Sequence, residues 1–127
     1  MSFERPYEGI KVLDMSQGIA GPYCAMLLAQ HGAEVVKVEP LQGDWARSLG
    51  ASNGNHTDYS FIANFGKRSL AIDLKSDEAQ GIIDALVAEA DVFFEGFRPG
   101  VIARLGYGHE RLMALNPGLI YVSISGF

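Results

Sequence analysis

Residues 12–40, VLDMSQGIAGPYCAMLLAQHGAEVVKVEP, contain a short apolar run, a glycine-bearing turn, a longer apolar run opened by Pro22, and an alternating segment that closes at Glu39. A short apolar run bounded by turn residues is the pattern of a strand covered on both faces, and the longer run has the length of a helix. The stretch therefore reads as strand, turn, helix and strand, one βαβ unit. The first strand, over 10–15, is expected at the centre of a sheet. The helix is expected over 23–31, with Pro22 at the first helical position, where its missing donor is not needed. Being apolar nearly all round, this helix should be deeply packed.

Working outward, residues 41–56 are rich in Gly, Asn and Ser and form the longest loop, with Trp45 and Leu49 as its anchors. A short element is expected over 58–65 and a third strand over 69–73. Ser76 is placed to cap a helix in which Ile82, Ile83, Leu86, Val87 and Ala90 recur at helical spacing. VFFE at 92–95 makes a fourth strand. Short helices follow in VIARLG and HERLMAL, and LIYVSIS at 119–125 makes a fifth strand that is expected to run through the centre of the sheet. The alternation predicts an α/β fold: a mostly parallel, Rossmann-like sheet with helices on both faces. Because ligands of such sheets bind beyond the carboxyl ends of strands, a chain stopping there is expected to be the N-terminal domain, 1–127, of a longer polypeptide.

The net charge of −5, from 15 acids against 10 bases, offers no broad basic surface for nucleic acid. No apolar run approaches the roughly 20 residues that span a bilayer, so neither nucleic acid nor membrane is an expected partner and a cytoplasmic location is. Cys24 has no second thiol to pair with, and His31, His56 and His109 are not at ligand spacing, so no metal site is expected.

The turn S-x-G-x-x-G, aligned on Gly18 and Gly21, lacks the first glycine of the dinucleotide fingerprint, while Glu39 stands where a ribose-binding acid would. Two readings stay open. One is an anion or nucleotide site at the helix N-terminus; the other is a turn that needs glycine only for its backbone geometry. Lys37, Lys67, Arg68, Lys75, Arg98 and Arg104 lie near strand ends, where a cluster could hold phosphates and a lone cation would be solvated. Arg98, in the turn after a buried strand, is the strongest single candidate. Asp14 and Asp73 fit turn-bonding roles. Trp45 and Tyr59 read as packing anchors.

Taken together, GIKVLDMSQGIAGPYCAMLLAQHGAEVVKVEP, NFGKRSLAIDLK, ADVFFEGFRPGVIARLGYG and LNPGLIYVSISGF, in that order, resemble the N-terminal part of the class III coenzyme A transferases. That family includes formyl-CoA and carnitine-CoA transferases and the related α-methylacyl-CoA racemases. The resemblance implies a CoA site along Gln17, Gly18, Ile19 and Ala20, with the adenine near Ile72 and Lys75. Arg98 and Arg104, the latter with Leu105 beside it, resemble the basic positions that meet the CoA phosphates. Some relatives carry a basic residue where Pro40 stands and a histidine where Gln17 stands.

The resemblance also implies acyl-CoA and a carboxylic acid as substrates, an interlocked homodimer for the full-length protein, and a nucleophilic aspartate beyond Phe127. That aspartate would form an aspartyl thioester, so no residue of 1–127 is expected to be catalytic and the chain alone is expected to be inactive. Two alternatives stand beside CoA transfer: an acyl-CoA racemase or isomerase of the same family, and a dinucleotide-binding oxidoreductase domain.

Overall fold

In a computed structural model, which describes residues 4–126, the chain folds around a five-stranded sheet. In chain order the elements are β1 (Lys11–Asp14), α1 (Ala20–Gln30), β2 (Glu34–Glu39), a 3₁₀ turn (Trp45–Ser48), β3 (Ser52–Asn53), β4 (His56–Thr57), α2 (Asp58–Ile62), β5 (Arg68–Ala71), α3 (Asp77–Glu89), β6 (Val92–Glu95), α4 (Val101–Arg104), α5 (His109–Leu115) and β7 (Ile120–Ser123). The large sheet has the order β5-β2-β1-β6-β7 with every pairing parallel, and β3 and β4 form a small antiparallel pair. Phe127, the last residue of the SGF block, lies outside the described residues.

The core is split by the pleat of β1, since successive side chains of a strand point to opposite faces. Val12 packs with Ala25, Val35 and Phe94 on the face covered by α1, whereas Leu13 and Met15 pack with Ile83, Val87, Phe93 and Leu112 on the face covered by α3 and α5. The sheet is thus covered by helices on both sides, as its apolar strands predict.

Three expectations are corrected. Helix α1 starts at Ala20, so Pro22 is its third residue rather than its first. The first four backbone N–H groups of a helix lack an internal acceptor, so proline is tolerated there as well. Helix α1 is buried on one side only: Gly21, Pro22, Ala25 and Met26 face inward, while Tyr23, Cys24 and Leu27 are exposed. Finally, in the sheet formed by the described residues β7 lies at an edge, not at the centre.

The loop after β2 is fastened mainly by polar contacts; Trp45 is 53% exposed, with one edge of its ring packed on Gly18. The buried Glu39 carboxylate accepts from the Asp44 amide (2.9 Å), Arg47 Nε (2.8 Å), Arg47 Nη2 (2.7 Å) and Ser69 Oγ (2.8 Å). Burial alone would raise its pKa; the bonds from Arg47, the Asp44 amide and Ser69 outweigh burial and hold it at about 2. Thr57 Oγ1 donates to the Ala46 carbonyl (2.6 Å) and accepts from the Ser60 amide, which joins the 3₁₀ turn to α2.

Two outcomes are expected. Ile83, fully buried on the inner face of α3, should cost about 2–5 kcal/mol on substitution Ile83→Ala, read by urea unfolding, and a change within experimental error would contradict its place in the core. Glu39 has a folded pKa of about 2 against an ordinary 4.5, so its stabilisation is complete above the unfolded value and is lost as pH falls from about 4.5 toward 2. It amounts to about 3 kcal/mol. Glu39→Gln should therefore flatten stability against pH over that window, and an acid limb as steep as that of the native protein would show that the carboxylate is not held this way.

Candidate functional site

From β1 the chain proceeds outward through β2 to β5, then crosses back to place β6 and β7 on the other side of β1. Such a reversal leaves a crevice at the carboxyl ends of the strands on either side, the usual ligand position of an open α/β sheet. A cavity of about 420 Å³ lies there. It is lined by Met15 and Gln17 after β1, Val38 and Pro40 at the end of β2, Ile72 and Lys75 after β5, and Phe97 and Leu105 after β6. Its floor is the upper edge of the larger core cluster, to which Met15, Val38, Ile72, Phe97 and Leu105 belong.

Two further cavities adjoin this one. A cavity of about 340 Å³ shares Leu74, Lys75 and Leu105 with it and adds Arg104 and Gln80. On the other side, a cavity of about 600 Å³ shares Phe97 and adds Arg98 and His109. Four of the nine expected site residues, Gln17, Ile72, Lys75 and Leu105, thus line one cavity, and Arg104 and Arg98 line its two neighbours. Gly18, Ile19 and Ala20 line none of the three.

Those last residues lead into α1, and here the glycines have geometric causes. Gly18 has a φ of +82°, and a Cβ on it would overlap the Trp45 ring; a Cβ on Gly21 would overlap Ser16. The Gly18 amide does not point to solvent. It donates to both oxygens of Asp44, at 2.9 and 3.1 Å. Asp44 is buried, and its second partner is the equally buried Lys37 Nζ at 2.8 Å, which also donates to the Ser16 carbonyl at 2.8 Å.

Beside this pair lies another. Asp14, the register partner of Lys37, accepts from the Ser16 amide at 3.0 Å, from Ser16 Oγ and from Lys67 Nζ at 2.7 Å. Lys67 also donates to the Pro22 carbonyl at 2.7 Å. Burial lowers the Lys67 pKa from its ordinary value, and the Asp14 carboxylate opposes that shift.

Sequence reasoning left Lys37 and Lys67 as candidate phosphate ligands; the structure commits both to internal carboxylates. The available signal was Lys37 itself, a charge inside a strand flanked by apolar residues on both faces, which requires a buried partner. Asp14 and Asp73 do bond turns, the latter accepting from the Lys75 amide at 3.0 Å.

Of the ten Lys and Arg residues, Arg5, Lys11, Lys37, Arg47, Lys67, Arg68 and Arg111 are in ion pairs. The three with no ion pair among the described residues are Lys75, Arg98 and Arg104, and these are the three that line the adjoining cavities. The cavity of about 700 Å³ between the 39–43 segment and the β3–β4 pair is larger, but its one arginine, Arg47, is committed to Glu39. Glu39 in turn already accepts four hydrogen bonds, the capacity of a carboxylate, so no lone pair remains for a ribose hydroxyl. The dinucleotide reading loses its acid.

Comparison with known proteins gives this geometry its setting. The chain is 43% identical over 126 residues to a succinyl-CoA–D-citramalate CoA-transferase of Chloroflexus aurantiacus, a match covering 97% of this chain and 31% of the relative. It is 46% identical to a succinyl-CoA:mesaconate CoA-transferase of Haloarcula hispanica, over 94% of this chain and 32% of that one. A crystal structure of a CaiB/BaiF family protein from Brucella suis superimposes with a TM-score of 0.91 at 38% identity, covering 98% of this chain and 34% of the other. The chain therefore spans about a third of the length of the relatives it matches. The model of CoA-transferase family III matches residues 7–127, and the chain belongs to that family.

Proposed function

We propose that this chain is the coenzyme A-binding portion of a class III CoA-transferase, whose complete polypeptide moves CoA between carboxylic acids. The observation that carries the reading is the segregation of cations. Seven are paired within the fold, and Lys75, Arg98 and Arg104 alone lack an ion pair among the described residues, all three along adjoining cavities at the sheet's switch point. A ligand with a 3′-phosphate, a pyrophosphate and a long pantetheine arm suits a run of cavities with separated cations and an apolar floor better than it suits one compact pocket.

In this reading Ile72 and Leu105 support the adenine, and Lys75, Arg104 and Arg98 meet phosphate oxygens. Ile19 and Ala20, at the start of α1 where no side chain caps the helix, present backbone N–H donors. Gln17, half-buried on the cavity wall, presents its amide to the ligand. The protein's net charge of −5 makes such local cations necessary for an anionic ligand.

The reacting group lies outside residues 1–127. An aspartate there attacks the acyl-CoA carbonyl, releases the CoA thiolate and forms a mixed anhydride. The thiolate then attacks the aspartyl carbonyl, releases the first acid and leaves an aspartyl thioester. The second acid's carboxylate attacks that thioester to give a new mixed anhydride and free thiolate, which attacks the new acyl carbonyl to form the product acyl-CoA and release the aspartate. Division into two acyl transfers requires the CoA to stay bound while its sulfur changes partner, which is the role assigned here to residues 1–127. The full-length protein is read as an interlocked homodimer, and residues 1–127 alone as inactive.

Titration calorimetry of CoA into the complete polypeptide tests the assignment. Arg98→Ala and Arg104→Ala should each weaken binding about tenfold or more, since a charge-assisted hydrogen bond is lost in each. Unchanged affinity in both would remove CoA from these cavities.

A further inference from the structure

The buried pair Lys37–Asp44 touches neither of the two other cavities nor the 420 Å³ one, yet it holds the backbone on both sides of the residue that does line the latter. Lys37 Nζ donates to the carbonyl of Ser16, immediately before Gln17, and Asp44 accepts from the amide of Gly18, immediately after it. The two charges are joined to each other at 2.8 Å. Together they form a closed loop of contacts around one residue, from the Ser16 carbonyl through Lys37 and Asp44 to the Gly18 amide.

The surroundings leave this loop little freedom. Lys37 sits in the middle of β2 between Val36 and Val38, and its register partners are Asp14 in β1 and Ser69 in β5. Asp44 is fixed from its own side: its amide donates to Glu39, and its Oδ1 accepts from the Ala46 amide at 2.9 Å as the cap of the 3₁₀ turn. The Trp45 ring then closes over Gly18, whose left-handed backbone places the Gly18 amide toward Asp44. A turn of two peptides, otherwise among the softest features of an α/β sheet, is thereby referred to a central strand on one side and to the 41–49 loop on the other.

We propose that Lys37 and Asp44 are positioning residues for the ligand site. By gripping the Ser16 carbonyl and the Gly18 amide, they fix the orientation in which Gln17 faces the cavity. The pair makes no contact with ligand and acts through the turn. It also couples the 41–49 loop to the site, because the same carboxylate that holds Gly18 caps the 3₁₀ turn. This inference rests on the reading of the cavity as a CoA site for its ligand, and on the geometry alone for the clamp.

Removing one member leaves a buried, unpaired charge, which can unfold the protein and would say nothing about positioning. Two double variants avoid that outcome in the complete polypeptide. Lys37→Met with Asp44→Asn removes both charges but keeps an acceptor for the Gly18 and Ala46 amides, so half of the clamp survives. Lys37→Met with Asp44→Leu removes both grips. Val87→Ala, which opens a cavity at the buried face of α3 far from the turn in sequence, serves as the stability control.

CoA affinity by calorimetry should fall in the order native, Met/Asn, Met/Leu, with about a tenfold loss in the last. Val87→Ala should retain native affinity even where its Tm falls as far. Hydrogen exchange at the Gly18 amide should be slow in the native protein and in Met/Asn and at least tenfold faster in Met/Leu. Equal affinity in all folded variants, or affinity that follows Tm across all three, would overturn the positioning role. Native-like Gly18 exchange in Met/Leu would overturn the clamp. Failure of the native protein to bind CoA would instead overturn the ligand assignment of the preceding section, with Gly18 exchange still deciding whether the clamp exists.

Discussion

Four charges with almost no access to water, Asp14, Lys37, Asp44 and Lys67, lie under the turn between β1 and α1, and much of the site's geometry depends on their mutual satisfaction. Taking such groups out of water costs several kcal/mol each. The structure offsets that cost by giving every member both an opposite charge and at least one further hydrogen bond. Asp14 takes the Ser16 amide, Lys37 the Ser16 carbonyl, Asp44 the Gly18 and Ala46 amides, and Lys67 the Pro22 carbonyl. Among the described residues no buried side-chain N or O atom lacks a partner. Apolar residues often replace buried ion pairs without loss of stability, but they offer no directional bonds such as those that hold the Ser16 carbonyl and the Gly18 amide.

The same interactions explain where the chain leaves charge uncompensated. Cations on the α1 side of the turn are neutralised inside the fold, and Arg47 is neutralised by Glu39 in the loop beyond. Along the other side of the strand ends, Lys75, Arg98 and Arg104 remain without an ion pair among the described residues. A protein of net negative charge thus carries a local positive lining, bordered below by the apolar edge of the core around Met15, Val38, Ile72 and Phe97. In the proposed reading, this contrast suits a phosphate-bearing ligand with an apolar portion.

How far this could be read from residues alone differs by feature. Strands β2 and β6 fall at 34–39 and 92–95 as expected, and α3 begins directly after Ser76, because apolar periodicity is written in neighbouring residues; the Ser76 side chain makes no capping hydrogen bond. The start of α1 is less legible: Pro22 is compatible with any of the first helical positions, so it does not mark Ala20 as the first helical residue. The edge place of β7 depends on which strand it pairs with, and nothing within its own four residues encodes that. The charged cluster was least legible, since Asp44 reaches Gly18 across 26 positions and Lys67 reaches Asp14 across 53. Of the cations near strand ends, sequence could name candidates, but only the fold separated those used internally from those that are not.

In the proposed reading, Lys75, Arg98 and Arg104 have no ion pair among the described residues because they meet the phosphates of CoA in the cavities at the carboxyl ends of the strands. A crystal structure of the complete polypeptide with CoA bound tests it most directly. Phosphate oxygens should lie within hydrogen-bond distance of these three side chains, with the adenine against Ile72 and Leu105 and Gln17 facing the bound molecule. CoA seated elsewhere, with the three cations still facing solvent, would contradict it.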